Sequence, residues 1–148
     1  MERTLIIFKP DAVQRRLCGQ ILQRFESKGL KVVGMKLSRI SQELGERHYA
    51  AHREKPFYED LLTFMTAGPV VLLALEGPKA IEVARKMMGK TFGFEAEPGS
   101  FRGDFGVSSQ YNLIHGSDSP EAAEKELALF FEPHELLDYP LVDDPWMA

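Results

Sequence analysis

Val70-Val71-Leu72-Leu73-Ala74-Leu75, an unbroken apolar run, constrains the fold of this chain more than any other segment. A strand with one wet face alternates polar and apolar residues, whereas a strand covered on both faces reads as a continuous apolar stretch. The run is too short for a buried helix, and Gly68-Pro69 stops whatever precedes it. It therefore predicts a central strand, and the rest of the chain must supply neighbours and cover.

The flanking segments do so in a recognisable order. Thr4 to Lys9 is rich in β-formers and is stopped by Pro10, which cannot donate to a ladder. Ile21, Leu22 and Phe25 recur at helical spacing within Cys18 to Lys28, and Gly29 supplies the stop. Leu30 to Leu37 reads as a second strand. Ser41 caps a helix running to about His52, and Phe57 to Met65 forms the next helix. After the central strand come a helix over Lys79 to Met88, a long loop from Gly89 to Phe101, and a last strand over Tyr111 to Ile114. Pro120, at a first helical position, opens a helix ending near Phe131. This order, β-α-β, a helical hairpin, then β-α-β-α, predicts an α+β fold of the ferredoxin-like βαββαβ kind. The expectation is a four-stranded antiparallel sheet with its helices on one face and the hairpin inserted between strands two and three.

The 148 residues fit one domain of the commonest size, with an irregular tail from about Pro140 in which Trp146 is unusual for a free end. A net charge of −4 argues against a protein that grips long nucleic acids, although small phosphates need only a local cluster of cations. No apolar stretch approaches the ~20 residues of a membrane span, so no membrane partner is expected. Cys18 is alone, which excludes an intrachain disulfide and points to a reducing, cytoplasmic setting.

Several segments resemble chemical motifs and fail on inspection. Gly89-Lys90-Thr91 looks like the end of a phosphate-binding loop, but Ala84 stands where that pattern needs glycine, and the triplet follows a helix instead of opening one. Asp104-Phe105-Gly106 has no accompanying kinase segments. His48 and His52 lie four apart on a predicted helix, as zinc ligands do, yet no acidic residue or cysteine nearby in sequence completes a set. Cys18 reads as a small helix residue, and His134 has no distinguishing partner.

His115, in Asn112-Leu113-Ile114-His115-Gly116-Ser117-Asp118, is different. An imidazole held where a buried strand stops, beside a glycine with no side chain to block approach, can reach a phosphoryl group with one ring nitrogen. Its alternative use is to cap the strand by local hydrogen bonding. If the outer β-α units supply central strands, Lys9 comes near His115, and Arg85 and Arg102 lie on either side of the long loop. Together these cations suit phosphate, whereas any one alone reads as a solvated charge.

Taken with Phe8-Lys9-Pro10-Asp11, Lys55-Pro56-Phe57, Gly68-Pro69-Val70 and Pro98-Gly99-Ser100-Phe101-Arg102-Gly103-Asp104-Phe105, the segment around His115 resembles nucleoside diphosphate kinase, in one register from about Thr4 to Tyr139. The resemblance implies transfer of the terminal phosphate of a nucleoside triphosphate to a nucleoside diphosphate, by ping-pong kinetics through a phosphohistidine at His115. ATP, GTP, GDP and deoxynucleotides are all implied substrates. It also implies a nucleotide pocket of Lys9, Tyr49, Phe57, Arg85, Thr91, Arg102 and Asn112. In that pocket Phe57 stacks on the base, Lys9 and Asn112 hold the sugar, and Arg85, Thr91 and Arg102 hold phosphates. Ser117 and Glu126 support the site, Glu126 by orienting the histidine ring. Mg²⁺ is implied on the nucleotide's phosphates, with no protein metal motif. A homo-oligomer is implied too, a tetramer or hexamer built on dimers.

The sequence departs from the family where Gln110-Tyr111 replaces the common Gly-Arg before Asn112, and where Phe92-Gly93 replaces Asn-Pro after Thr91. Two rival readings remain at this level. A regulatory module that senses nucleotides without turnover would tolerate any residue at His115, and a phosphorelay carrier would normally present its histidine from a helical bundle.

Overall fold

The computed structural model describes all of Met1–Ala148. The chain runs β1 (Glu2–Phe8), α1 (Pro10–Gln14), α2 (Cys18–Lys28), β2 (Lys31–Ser38), α3 (Gln42–His48), α4 (Tyr58–Met65), β3 (Val70–Gly77), α5 (Ala80–Met88), α6 (Phe101–Phe105), β4 (Ile114–Gly116) and α7 (Pro120–Phe130). The strands form one antiparallel sheet in the order β2-β3-β1-β4. This is the ferredoxin-like α+β arrangement, with α3 and α4 inserted between β2 and β3. The apolar run lies in β3, an interior strand, as its composition demands.

Two expectations need correction. Helices cover both faces of the sheet. Ile6 and Phe8 of β1 pack with Ile21 and Phe25 of α2 and with Ala84 and Met88 of α5. Leu5 and Ile7, one residue out of phase, pack with Leu62 and Met65 of α4 and with Leu127 and Phe130 of α7. The apolar run itself required this second layer, since a strand buried on both sides has no face left for water. The last β-α unit also does not supply a central strand: β4 is a short edge strand, hydrogen-bonded to β1 alone. Lys9 still comes near it, because β1 is its one neighbour.

Local signals fixed several boundaries. Gly29 ends α2 with φ of 106°, a left-handed conformation that glycine adopts without a Cβ clash. Ser41 and Ser119 each cap their helices by accepting a backbone N–H three residues on, from Leu44 and Ala122. The helix begun at Ser41 stops at His48, and Ala50–His52 continues as a single 3₁₀ turn. The long loop is partly structured, with a 3₁₀ turn at Gly93–Glu95 and with Ser100 capping α6. Beyond Pro140, Asp144–Trp146 forms one more 3₁₀ turn and Trp146 is exposed.

Candidate active site

The last strand begins three residues later than its composition suggests, and the reason shapes the site. Leu113 has φ of 72°, a conformation that costs a branched residue of the order of 1 kcal/mol or more. Its carbonyl accepts from the Lys9 backbone N–H at 2.8 Å, and its own N–H donates to Asp11 Oδ2 at 3.1 Å. These two bonds from the β1–α1 junction, with the complete burial of the Leu113 side chain, hold the strained residue in place. Past it the chain enters β4, where His115 pairs with Ile7. Paired residues share a face, so the His115 ring projects to the side of the sheet covered by α3, α4 and α7.

On that side Glu126, from α7, comes to meet it. Glu126 Oε1 lies 2.9 Å from His115 Nε2 and accepts the Ser117 hydroxyl at 2.8 Å. Burial raises the Glu126 carboxyl, but the hydrogen bond and charge of His115 and the Ser117 hydroxyl outweigh it and hold the group below its ordinary value. It is ionised at neutral pH. Ser117 is fully buried and also accepts the Leu5 N–H at 3.2 Å, tying the end of β4 back to β1.

A cleft of about 730 Å³ opens in front of His115. Lys9, Tyr49, Phe57, Arg85, Thr91, Arg102, Asn112 and Glu126 all line it with His115, while Ser117 lies behind the wall. The residues that the family resemblance implied thus lie in or beside one cleft, whereas Cys18 and His134 do not. Lys9 Nζ donates to Asn112 Oδ1 at 2.7 Å, and Asn112 Nδ2 donates to the Thr91 carbonyl at 3.0 Å. Burial pushes the Lys9 ammonium down to about 8, helped by the charge of Arg102 and opposed by that of Asp11.

The two arginines differ in character. Arg102 is buried and donates to the carbonyls of Asn112, Gly89 and Ile114 at 3.1, 3.1 and 2.6 Å. Burial and the neighbouring Arg85 lower it to about 10, so it stays charged at neutral pH. Arg85 is exposed and makes one bond, from Nη1 to the Gly116 carbonyl at 3.0 Å, leaving its other donors toward the cleft. Phe57, half exposed at the start of α4, stands at the outer wall. Gly116 lines the cleft and also serves packing: a Cβ there would lie 2.6 Å from Met88 Sδ on α5.

Sequence reasoning missed two participants. Asp11 braces Leu113 from 102 positions away. His48, at the end of α3, lies edge-on to His115 with ring centroids 4.9 Å apart and also contacts Tyr49 and Phe130. No local pattern announces either contact, since both depend on which elements the sheet brings together.

A family model for nucleoside diphosphate kinase matches residues 2–136. The chain belongs to the nucleoside diphosphate kinase family. It is 58% identical to the family member of Thermomicrobium roseum over 147 residues, 99% of each chain. Among solved structures it resembles the halophilic family member of Halobacterium salinarum in complex with CDP, at 47% identity and a TM-score of 0.97 over 99% of this chain and 98% of that one. It also resembles a family protein of Babesia bovis, at 43% identity and a TM-score of 0.97 over the full length of both. Like its family, the chain is a phosphotransferase that moves the terminal phosphate of a nucleoside triphosphate to a nucleoside diphosphate. Its substrates are therefore nucleotides. No helix is long and apolar enough to cross a membrane.

Proposed function

We propose that this kinase works by ping-pong transfer through His115, in one cleft that donor and acceptor occupy in turn. The bond from Glu126 to His115 Nε2 carries the reading. With the ionised carboxylate holding the proton on Nε2, the lone pair sits on Nδ1, the nitrogen free to attack. Nδ1 forms a bond to the terminal phosphorus as the bridging P–O bond breaks, and the diphosphate leaves with that electron pair. The ring gains positive charge, which Glu126 stabilises. A diphosphate oxygen then attacks the phosphorus, the P–N bond breaks, and the neutral imidazole is restored.

Positioning and electrostatics supply most of what phosphoryl transfer needs. Arg85, Thr91 and Arg102 hold phosphates, with Arg102 also fixing the backbone on which Asn112 and His115 are mounted. Lys9 and Asn112, already bonded to each other, hold the sugar, and the buried Tyr49 closes the inner wall. Phe57 offers its exposed ring to the base. Stacking uses the π-face that every base has, so broad substrate range follows, covering ATP, GTP, GDP and deoxynucleotides.

Mg²⁺ fits this site as a passenger on the nucleotide. Lys9, Arg85 and Arg102 bring positive charge to the cleft, and Asp118 is an exposed carboxylate at its wall with no side-chain hydrogen bond. Asp118 would hold a water of the metal, and the metal when bound neutralises charge on the phosphates. We further assign a homo-oligomer, tetramer or hexamer, and a cytoplasmic setting, the latter from the single unpaired Cys18.

The deciding experiment is incubation with ATP labelled in the terminal phosphate. We expect an acid-labile, alkali-stable phosphoprotein that passes its label to GDP, and no label on the His115→Ala variant. Label retained in that variant, or transfer without a phosphoprotein, defeats the assignment.

A further inference from the structure

We propose that His48, His115 and Glu126 form an inhibitory binding site for a borderline divalent cation, specifically Zn²⁺, inside the cleft. The pairing of His48 with His52 suggested by their spacing does not form, because α3 ends at His48 and His52 lies in the following 3₁₀ turn. What His48 meets instead comes from two distant elements. One ligand atom from each of His48, His115 and Glu126 lies within 4.8 Å of the other two.

Three features suit these atoms to a metal. Two imidazole nitrogens and one carboxylate oxygen are the donor set of three-ligand zinc sites, which keep a fourth position open. Here that position faces the cleft, where a water or a phosphate oxygen can occupy it. Both ring nitrogens of His48 are buried and have no hydrogen-bond partner, so no existing bond must break for this residue to ligate. Donors in a tetrahedral zinc site lie roughly 3.3 Å apart, given bonds of ~2.0–2.1 Å. Side-chain rotations close the remaining gap. Mg²⁺ is excluded by the same chemistry, since it demands near-octahedral oxygen coordination.

The inhibition rests on the proposed role of His115, although the binding does not. A cation that replaces the proton between His115 Nε2 and Glu126 leaves the neutral ring's one proton on Nδ1, where it occupies the lone pair that the phosphoryl reaction uses. Zinc and the phosphoryl group are then mutually exclusive on this imidazole. The kinase is switched off by zinc only between turnovers, when the ring is bare.

The test is titration of metal-stripped, nucleotide-free, full-length protein with Zn²⁺ alone, by calorimetry. We expect one equivalent per chain. Binding weakens at least about 100-fold in His48→Phe, which keeps an aromatic ring against Tyr49 and Phe130 while removing both donors, and likewise in His48→Gln should the first fold poorly. Co²⁺ in place of Zn²⁺ gives the intense visible absorption of a four-coordinate site, lost in the same variants. Protein phosphorylated with ATP and desalted takes up no zinc. Equal zinc affinity in wild type and His48→Phe, absence of binding at micromolar metal, or full binding by a phosphoprotein whose label depends on His115 each overturns the proposal. If zinc binds through His48 while His115→Ala still takes label, the phosphohistidine reading fails and the metal site stands.

Discussion

Glu126 and Lys9 are the residues whose protonation the fold controls most usefully. Glu126 carries the tautomer of His115, so Glu126→Gln, which keeps the shape and loses the charge, is expected to lower kcat by at least about 100-fold in steady-state assays. An unchanged kcat would show that the ring needs no carboxylate. Lys9 titrates near 8 in the free protein against an ordinary 10.5. Phosphate raises it again by favouring the charged form, so nucleotide binding above pH 8 is expected to take up protons. Calorimetry at pH 8.5 in two buffers of different ionisation enthalpy measures that uptake, and Lys9→Met abolishes it. The same shift acts on stability with a definite sign. The folded form loses its proton before the unfolded form does, so stability from this group rises between about pH 8 and pH 10.5 and is lost as pH falls back through 8.

Among the elements, the junctions around β4 decide the site. Arg102 joins three carbonyls from the end of α5, the approach to β4 and β4 itself. Lysine keeps the charge but not the fork of donors, so Arg102→Lys is expected to destabilise the protein by at least about 2 kcal/mol, read as a lower denaturant midpoint at constant slope. Arg85→Lys, on an exposed side chain, is expected to raise KM and leave the midpoint unchanged. These junctions also mark where sequence reading stopped. The helix at Cys18–Lys28, the apolar strand and both serine caps were legible because each signal is local. The start of β4 was not, since Tyr111 to Ile114 has β composition and only the long-range bonds to Lys9 and Asp11 turn Leu113 out of the ladder. The second helical layer was implied by the apolar run and overruled by analogy with a one-faced sheet. The residues around the cleft were legible as candidates because the motif names them, while His48 and Asp11, which act by three-dimensional contact, were not.

At the scale of the whole molecule, the isolated chain leaves apolar surface that a soluble monomer seldom tolerates. Met35 and Leu37 are 57% and 69% exposed on β2, an edge strand, and Leu137, Leu141, Val142 and Trp146 stand out along the tail. Sedimentation at micromolar concentration is expected to show a closed homo-oligomer, and a monomer alone would refute it. Truncation after Tyr139 is expected to weaken that assembly without removing the cleft, since no cleft residue lies beyond Glu126.

The pairing of Ile7 with His115 has one more consequence. Side chains alternate across a strand, so sliding β4 along its neighbour by a single position would swing the imidazole to the opposite surface, among the methionines of α5, and send an isoleucine into the opening instead. Such a molecule would keep its helices but seat the imidazole where even a Cβ meets Met88 Sδ at 2.6 Å, so it would pack less well and hold no chemistry at all. Leu113, pinned in its awkward twist, and Ser117, latched to Leu5, act as the detents that forbid this slip. A mutation loosening either is expected to yield a mixture of live and dead molecules, detected by active-site titration and invisible to circular dichroism.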